Sequence, residues 1–157
     1  MLIKTIIDED FVNYKEAHMT IAFPCCTFKC DKECGKAVCQ NSELAKSPNI
    51  EMSEEDIVSR YMSNFVTSAV VLAGLEPFDS WGDVQAFVRE FRSRCDDDIV
   101  IYTGYTEEEK SGEVAWLSQF ADIIVKFGRY IPDQEKHFDE VLGVELASDN
   151  QYGKVIS

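Results

Sequence analysis

Short apolar runs alternate with amphipathic segments along the chain. Near-continuous apolar runs, typical of strands buried on both faces of a sheet, cover residues 19–23, 67–73, 99–102 and 121–125. A weaker run at 141–146 is interrupted by Gly143. The pattern therefore predicts a sheet of about five strands.

The segments between these runs have helical spacing and recognisable starts. Ser53 and the acidic residues up to Asp56 form a capping-box pattern, which predicts a helix that ends near Asn64. Ser80 precedes a second predicted helix, and Thr106 precedes a third. The apolar positions at helical spacing in these segments are Ile57, Val58, Tyr61, Met62, Val84, Phe87, Val88, Phe91, Val114, Leu117 and Phe120.

Strands that alternate with helices of this length predict βα units, a mostly parallel sheet and the α/β fold class. In such sheets the functional loops follow the carboxyl ends of the strands. Three loops qualify: the one that follows residues 19–23, the stretch 74–78 and the stretch 103–105. We expect all three to converge on one edge of the sheet.

Composition and charge narrow the classes of function. The 157 residues, 45% of them apolar, include 29 Asp plus Glu and 15 Lys plus Arg, for a formal net charge of −14. This length predicts one domain over residues 1–157. So negative a surface repels nucleic-acid phosphates, and we expect no nucleic-acid partner.

No apolar run approaches the roughly 18 residues of a membrane span. The first residues do not resemble a signal peptide, so we expect a cytoplasmic protein without membrane association.

The cysteines are strongly clustered. Five of the six lie within fifteen residues, namely Cys25, Cys26, Cys30, Cys34 and Cys39. The sixth, Cys95, is distant and is interpreted as structural. A secreted, disulfide-bonded domain would spread its cysteines to close many loops. Clustering of this kind instead indicates thiolates gathered around a metal ion or a metal cluster.

The spacing of these cysteines allows more than one metal centre. Cys26 and Cys30 form a Cys-x3-Cys pair, and either Cys34 or Cys39 supplies a third thiolate. Three thiolates suit a 4Fe-4S cluster in which one iron lacks a protein ligand and is open to a small molecule. The alternatives are a structural zinc site formed by the pairs Cys26/Cys30 and Cys34/Cys39, or cysteines that are only buried or redox-active. Cys25 is interpreted as a bystander.

Several motifs occur in the order found in one family. They are Cys26 with Cys30, Cys39-Gln40-Asn41, Gly74 with Glu76 and Pro77, Thr103-Gly104-Tyr105, Gly128-Arg129-Tyr130, and Ser148-Asp149-Asn150-Gln151. Together they resemble the small radical S-adenosylmethionine activases, above all the anaerobic ribonucleotide reductase activating protein family. That family's third cysteine is followed by one residue and then Asn, so the resemblance favours Cys39 over Cys34. Eight residues separate Cys30 from Cys39 where the family has two, and Leu75 replaces the second Gly of its Gly-Gly-Glu/Asp-Pro turn.

The resemblance implies a fold, two cofactors and a reaction. The fold is a partial, open (β/α) barrel of the radical S-adenosylmethionine type. The cofactors are a 4Fe-4S cluster held by Cys26, Cys30 and Cys39, with Cys34 as the alternative third ligand, and S-adenosyl-L-methionine on the remaining iron. The reaction is cleavage of S-adenosylmethionine to generate a glycyl radical on a partner such as anaerobic ribonucleotide reductase. The implied electron donor is a flavodoxin or ferredoxin.

Five further residues are implied to contact S-adenosylmethionine: Ala73, Gly74, Glu76, Tyr105 and Arg129. Glu76 and the backbone of Ala73 and Gly74 are expected near the methionine amine, because carboxylate and carbonyl oxygens accept from its N–H groups. Structural interpretations stay open for three of them: Glu76 as a turn residue, Tyr105 as packing, and Arg129 as a counter-charge for acids. The alternative functions are a radical enzyme that acts on another substrate and a non-catalytic zinc or iron–sulfur module.

Overall fold

The computed structural model describes residues 1–157 and contains ten strands, five α-helices and one 3₁₀ turn. The strands are β1 (Leu2–Ile3), β2 (Thr5–Asp10), β3 (His18–Phe23), β4 (Ile50–Glu51), β5 (Ala69–Gly74), β6 (Asp98–Tyr102), β7 (Ile123–Phe127), β8 (His137–Asp139), β9 (Val144–Leu146) and β10 (Tyr152–Val155). The helices are α1 (Lys29–Cys34), α2 (Ser42–Lys46), α3 (Glu54–Met62), α4 (Trp81–Arg92) and α5 (Ser111–Leu117), with the 3₁₀ turn at Pro77–Ser80.

Six strands form the central sheet in the order β10-β7-β6-β5-β3-β2. The four inner strands are parallel, whereas β2 and β10 run antiparallel to their neighbours at the two edges. The predicted α/β class is therefore confirmed, with a correction: the sheet is mixed and has six strands instead of about five. The barrel implied by the resemblance stays a prediction.

The two faces of the sheet are covered differently. Helices α3, α4 and α5 pack on one face, where 21 buried residues form the larger apolar cluster. The opposite face has a cluster of only seven buried residues. There the cover is the segment around Tyr14 and the β8–β9 hairpin, which contributes Leu142 and Leu146. Alternation along each strand supplies both clusters, because successive side chains point to opposite faces.

The helix starts are confirmed in two cases and wrong in the third. Ser53 Oγ accepts from Asp56 N at 3.1 Å, as a capping residue of α3 should. Helix α4 begins directly after Ser80. Thr106 and Glu109 exchange the two hydrogen bonds of a capping box. They close only a turn, however, and α5 does not begin until Ser111.

The weak run at 141–146 does not join the central sheet. Only Val144–Leu146 is a strand, and it pairs with β8 in a separate two-stranded sheet. Gly143, with a φ of 70°, forms the turn that interrupts the run. No helix of the protein is both long and apolar enough to cross a bilayer.

Candidate metal centre

The three predicted loops meet at the carboxyl edge of the parallel strands. Glu76 N, after β5, donates to Cys25 O in the loop after β3 at 2.8 Å. The Glu76 carboxylate reaches the loop after β6, where Oε1 accepts from Thr103 Oγ1 at 2.9 Å and Oε2 accepts from Gly104 N at 2.8 Å. The expected convergence is confirmed, and Glu76 is the residue that joins the loops.

Glu76 is buried, with 5% of its surface exposed. Its Oε1 also accepts from Phe78 N at 3.1 Å and so caps the 3₁₀ turn. Burial raises the pKa of this carboxyl to about 7, against the effect of the hydrogen bonds from Gly104, Phe78 and Thr103. Both carboxylate oxygens are therefore occupied by donors of the chain itself.

The cysteine loop has a different character. Phe28, which precedes α1, is in the left-handed region with a φ of 53°, and Gly35 ends α1 in the same region with a φ of 67°. Neither α1 nor α2 contains a buried residue. The loop is held mainly by polar contacts, among them Thr27 N, which donates to Asp79 Oδ2 at 2.9 Å.

Two side chains fix the part of the loop that carries Cys39. Asp31 Oδ1 accepts from the backbone N of Val38 and of Cys39, both at 2.7 Å. Asn41 Nδ2 donates to Gly74 O at 2.6 Å. Cys39 therefore lies between two attachments, one to α1 and one to the turn after β5.

Two adjoining cavities at this edge contain eight of the nine candidate residues. The smaller, of about 220 Å³, is lined by Cys26, Cys30, Glu76, Tyr105 and Arg129, with Thr27, Lys29 and Gly104. The larger, of about 1600 Å³ including its open mouth, is lined among others by Cys26, Cys30, Cys39, Ala73, Gly74 and Glu76. Cys34 lines neither of these two cavities. The three thiols favoured by the resemblance thus share one cavity.

Burial sets the protonation of two of these thiols, Cys26 and Cys30. It raises the pKa of Cys26 to about 11, and the nearby Glu76, Asp79 and Cys39 add to the shift. Burial also raises the pKa of Cys30, although Arg129 and Lys126 oppose that shift. Because thiolates are the metal ligands, binding of a metal centre must release these protons.

Arg129 and Tyr105 form the wall of the smaller cavity. Arg129 Nη2 donates to Glu109 Oε1 at 2.6 Å, and its Nε lies 3.2 Å from Glu33 Oε1 on α1. The hydrogen bond from Arg129 lowers the pKa of Glu109 to about 2. The Tyr105 hydroxyl donates to Asp79 Oδ1 at 2.6 Å. Both the cofactor contact and the counter-charge interpretation of Arg129 fit this position.

Sequence reasoning missed Lys126 and Asp31. Lys126 is buried on β7 and lines the larger cavity, where its Nζ donates to Gly128 O at 2.8 Å. Burial lowers the pKa of Lys126 to about 8. The sequence feature that could have identified Lys126 is a single charged residue directly after the apolar run at 121–125. Asp31 gives no comparable signal, because its partners are backbone N–H groups.

The donor set suits a 4Fe-4S cluster. No three His, Cys, Asp or Glu side chains lie close enough together to hold one metal ion. A 4Fe-4S cluster does not require that, because each thiolate binds a different iron. Three thiols around one cavity, with Arg129 and Lys126 nearby as counter-charges, suit such a group.

The fold and this thiol set define the class as an α/β iron–sulfur protein. Residues 17–151 match the family described as a 4Fe-4S single cluster domain, and the chain belongs to that family. The predicted 4Fe-4S cluster is thereby supported over the zinc alternative. Comparisons with curated proteins and with solved structures give no match.

Proposed function

We propose that the protein is a radical S-adenosylmethionine enzyme that generates a glycyl radical on a partner enzyme. The observation that carries this proposal is the common cavity of Cys26, Cys30 and Cys39 at the carboxyl edge of the parallel strands. Three thiolates leave one iron of a 4Fe-4S cluster without a protein ligand. The larger cavity, whose water-accessible volume is about 540 Å³, has room for a small molecule beside these thiols.

In this proposal the chain's own residues bind and orient the small molecule. The backbone of Ala73 and Gly74 lines the larger cavity, and Arg129 in the smaller cavity would bind a carboxylate in place of its present partner Glu109 or Glu33. Glu76 fixes the loop after β6, so that Tyr105 stays in the wall. The chemistry supplied by a reduced cluster is one-electron cleavage of S-adenosylmethionine to methionine and a 5′-deoxyadenosyl radical, which takes one hydrogen atom from a glycine Cα. A flavodoxin or ferredoxin would supply the electron.

The face of the sheet that lacks a helix layer is an argument for a macromolecular substrate. Both edge strands are antiparallel, and the larger cavity lies on the face that carries no helix layer. A loop of a folded partner can enter such a cavity without being enclosed by the protein. A small metabolite would need further enclosing elements, which makes a radical enzyme with such a substrate the weaker proposal.

A non-catalytic iron–sulfur module is the second candidate, and one observation favours it. Gly74 O, expected near the methionine amine, accepts from Asn41 Nδ2, and both Glu76 oxygens accept from the chain's own donors. Two of the acceptors expected for the amine, Gly74 O and the Glu76 carboxylate, are thus already engaged. A cluster used only for electron transfer or for structure does not need them.

The test is anaerobic reconstitution followed by reduction and addition of S-adenosylmethionine. We expect a brown protein that forms methionine and 5′-deoxyadenosine, and loss of both cluster and products in Cys26→Ala, Cys30→Ala and Cys39→Ala. Cys25→Ala is the matched control, since the exposed Cys25 lines neither cavity. A full cluster with no cleavage would select the second candidate. A colourless protein with stoichiometric zinc would contradict both.

A further inference from the structure

The chain between the second and third thiols, residues 31–38, forms an excursion that is largely exposed. Cys30 lies near the start of α1 and Cys34 at its end, where Gly35 reverses the chain with a φ of 67°. Residues 32, 33, 35, 36 and 37 are exposed. The excursion therefore contributes little to the core, and its geometry is set at its base.

Asp31 closes that base. A single carboxylate oxygen accepts from two consecutive backbone N–H groups, of Val38 and Cys39, at 2.7 Å each. Hydrogen bonds to an ionised acceptor are shorter and about twice as strong as neutral ones. Since one donor is the Cys39 backbone itself, the position of that residue follows the carboxylate directly.

We propose that Asp31 is the positioning residue of Cys39, the third cluster ligand of the proposed function. The inference rests on the cluster site of the proposed function, but not on S-adenosylmethionine cleavage. Cys39 shares the larger cavity with Cys26 and Cys30, and the nearby Asn41 is anchored to the turn after β5. Cys34, at the end of the excursion helix, lines neither cavity.

This arrangement explains how eight residues fit where two suffice in the family that the chain resembles. A closed base fixes the distance that the chain covers between Cys30 and Cys39, whatever number of residues the excursion contains. In the family, the two residues between the cysteines set the spacing of the thiols. Here the Asp31 carboxylate sets it.

The experiment compares Asp31→Ala, Asp31→Asn and Lys32→Ala after anaerobic reconstitution. Lys32 is the matched control, an exposed residue of the same helix with no side-chain partner in the structure. The measurements are the rate of iron loss to a chelator, the electron paramagnetic resonance spectrum of the reduced cluster, and the thermal midpoint of the apoprotein. Partners that orient a ligand typically change metal affinity by about 10- to 100-fold.

We expect Asp31→Ala to lose iron at least about tenfold faster than wild type, with an altered spectrum and little change in the apoprotein midpoint. Asp31→Asn keeps an acceptor oxygen, so its rate of iron loss should lie between the rates of Asp31→Ala and wild type. Lys32→Ala should lose iron at the wild-type rate. Unchanged iron loss and spectrum in Asp31→Ala would overturn the inference. So would equal damage in Lys32→Ala, or an Asn variant no better than Ala.

Two cysteine variants keep the inference testable even if Asp31→Ala fails to fold. Cys39→Ala should lose the cluster and Cys34→Ala should keep it, and the reverse result would overturn the inference. A protein that holds a full cluster through Cys39 but cleaves no S-adenosylmethionine would contradict the proposed function alone. The two failures are therefore distinguishable.

Discussion

The two sides of the candidate site are built differently. On the turn side, residues 74–79 and 103–105, Glu76, Thr103 and Tyr105 are each at most 7% exposed and are linked by hydrogen bonds. In the cysteine loop, residues 24–41, the helix α1 buries nothing. The turn side is thus an extension of the folded core, whereas the thiols lie in a loop without a buried residue. The part of the loop that carries Cys39 is held instead by the polar contacts of Asp31 and Asn41.

One glycine on each side shows the same contrast. Gly74 and Gly35 both adopt a left-handed conformation, with φ of 91° and 67°. A Cβ on Gly74 would lie 2.8 Å from Ala22 Cα and from Phe23 N on β3. A Cβ on Gly35 would meet nothing within 4 Å.

The largest expected effect is therefore that of Gly74→Ala. The left-handed conformation costs a residue with a side chain about 1–2 kcal/mol, and overpacking against the β3 backbone adds about 1–3 kcal/mol. We expect a loss of about 2–5 kcal/mol in the free energy of unfolding of the apoprotein, measured by chemical denaturation.

Gly35→Ala is its control, and here only the conformational cost of about 1–2 kcal/mol applies. Equal losses in Gly74→Ala and Gly35→Ala would show that the turn side is no more tightly packed than the cysteine loop.

The next effect is a pH dependence that comes from Glu76. Burial raises its pKa from the ordinary value of 4.5 to about 7 in the folded chain, because burial disfavours the charged form. The folded state therefore binds more protons than the unfolded state between these values, and the stability falls as the pH rises from about 4.5 to about 7. At about 1.4 kcal/mol per pKa unit, the rise from 4.5 to about 7 contributes on the order of 3 kcal/mol.

This contribution is measured as the difference between wild type and Glu76→Gln, since other carboxyl groups titrate in both proteins. The free energy of unfolding of the Gln variant should decline less across this interval. Parallel pH profiles of the two proteins would contradict the assigned burial of the charge.

The smallest expected effect concerns the hydrogen bond from Asn41 to Gly74 O, which joins the cysteine loop to the turn side. Asn41→Ala removes the hydrogen bond to Gly74 O at an exposed position. We expect a stability loss of about 1 kcal/mol or less in the apoprotein, but faster iron loss to a chelator from the reconstituted protein. Ser42→Ala, at the exposed next residue, should change neither quantity, and similar iron loss in both variants would argue against a specific link.

The fold could be predicted where burial leaves a clear pattern. The inner strands β3, β5, β6 and β7 are buried on both faces and appear as apolar runs. The edge strands β2 and β10 were missed because each has one neighbour, is partly exposed and contains polar residues. The start of α5 was wrong because a capping box can close a turn as well as a helix.

The same distinction applies to the candidate site: some of its residues could be predicted from the sequence and others could not. Cys26, Cys30 and the turn at Gly74 were found because their spacing and their place after strands carry the signal. The choice between Cys34 and Cys39 could not be made from spacing alone, because residue counts do not show where an excursion returns. That return depends on Asp31, whose backbone partners leave no trace in the residue pattern.

The unequal cover of the sheet has a consequence for how such a protein diverges. The helical layer carries the larger part of the packing, while the large cavity is lined in part by two peripheral connections, the segment at Val12 and Asn13 and the β8–β9 hairpin with residues 144–147. Sequence changes in those connections alone could let related proteins accept a new partner, while the sheet and its helical layer stay unchanged.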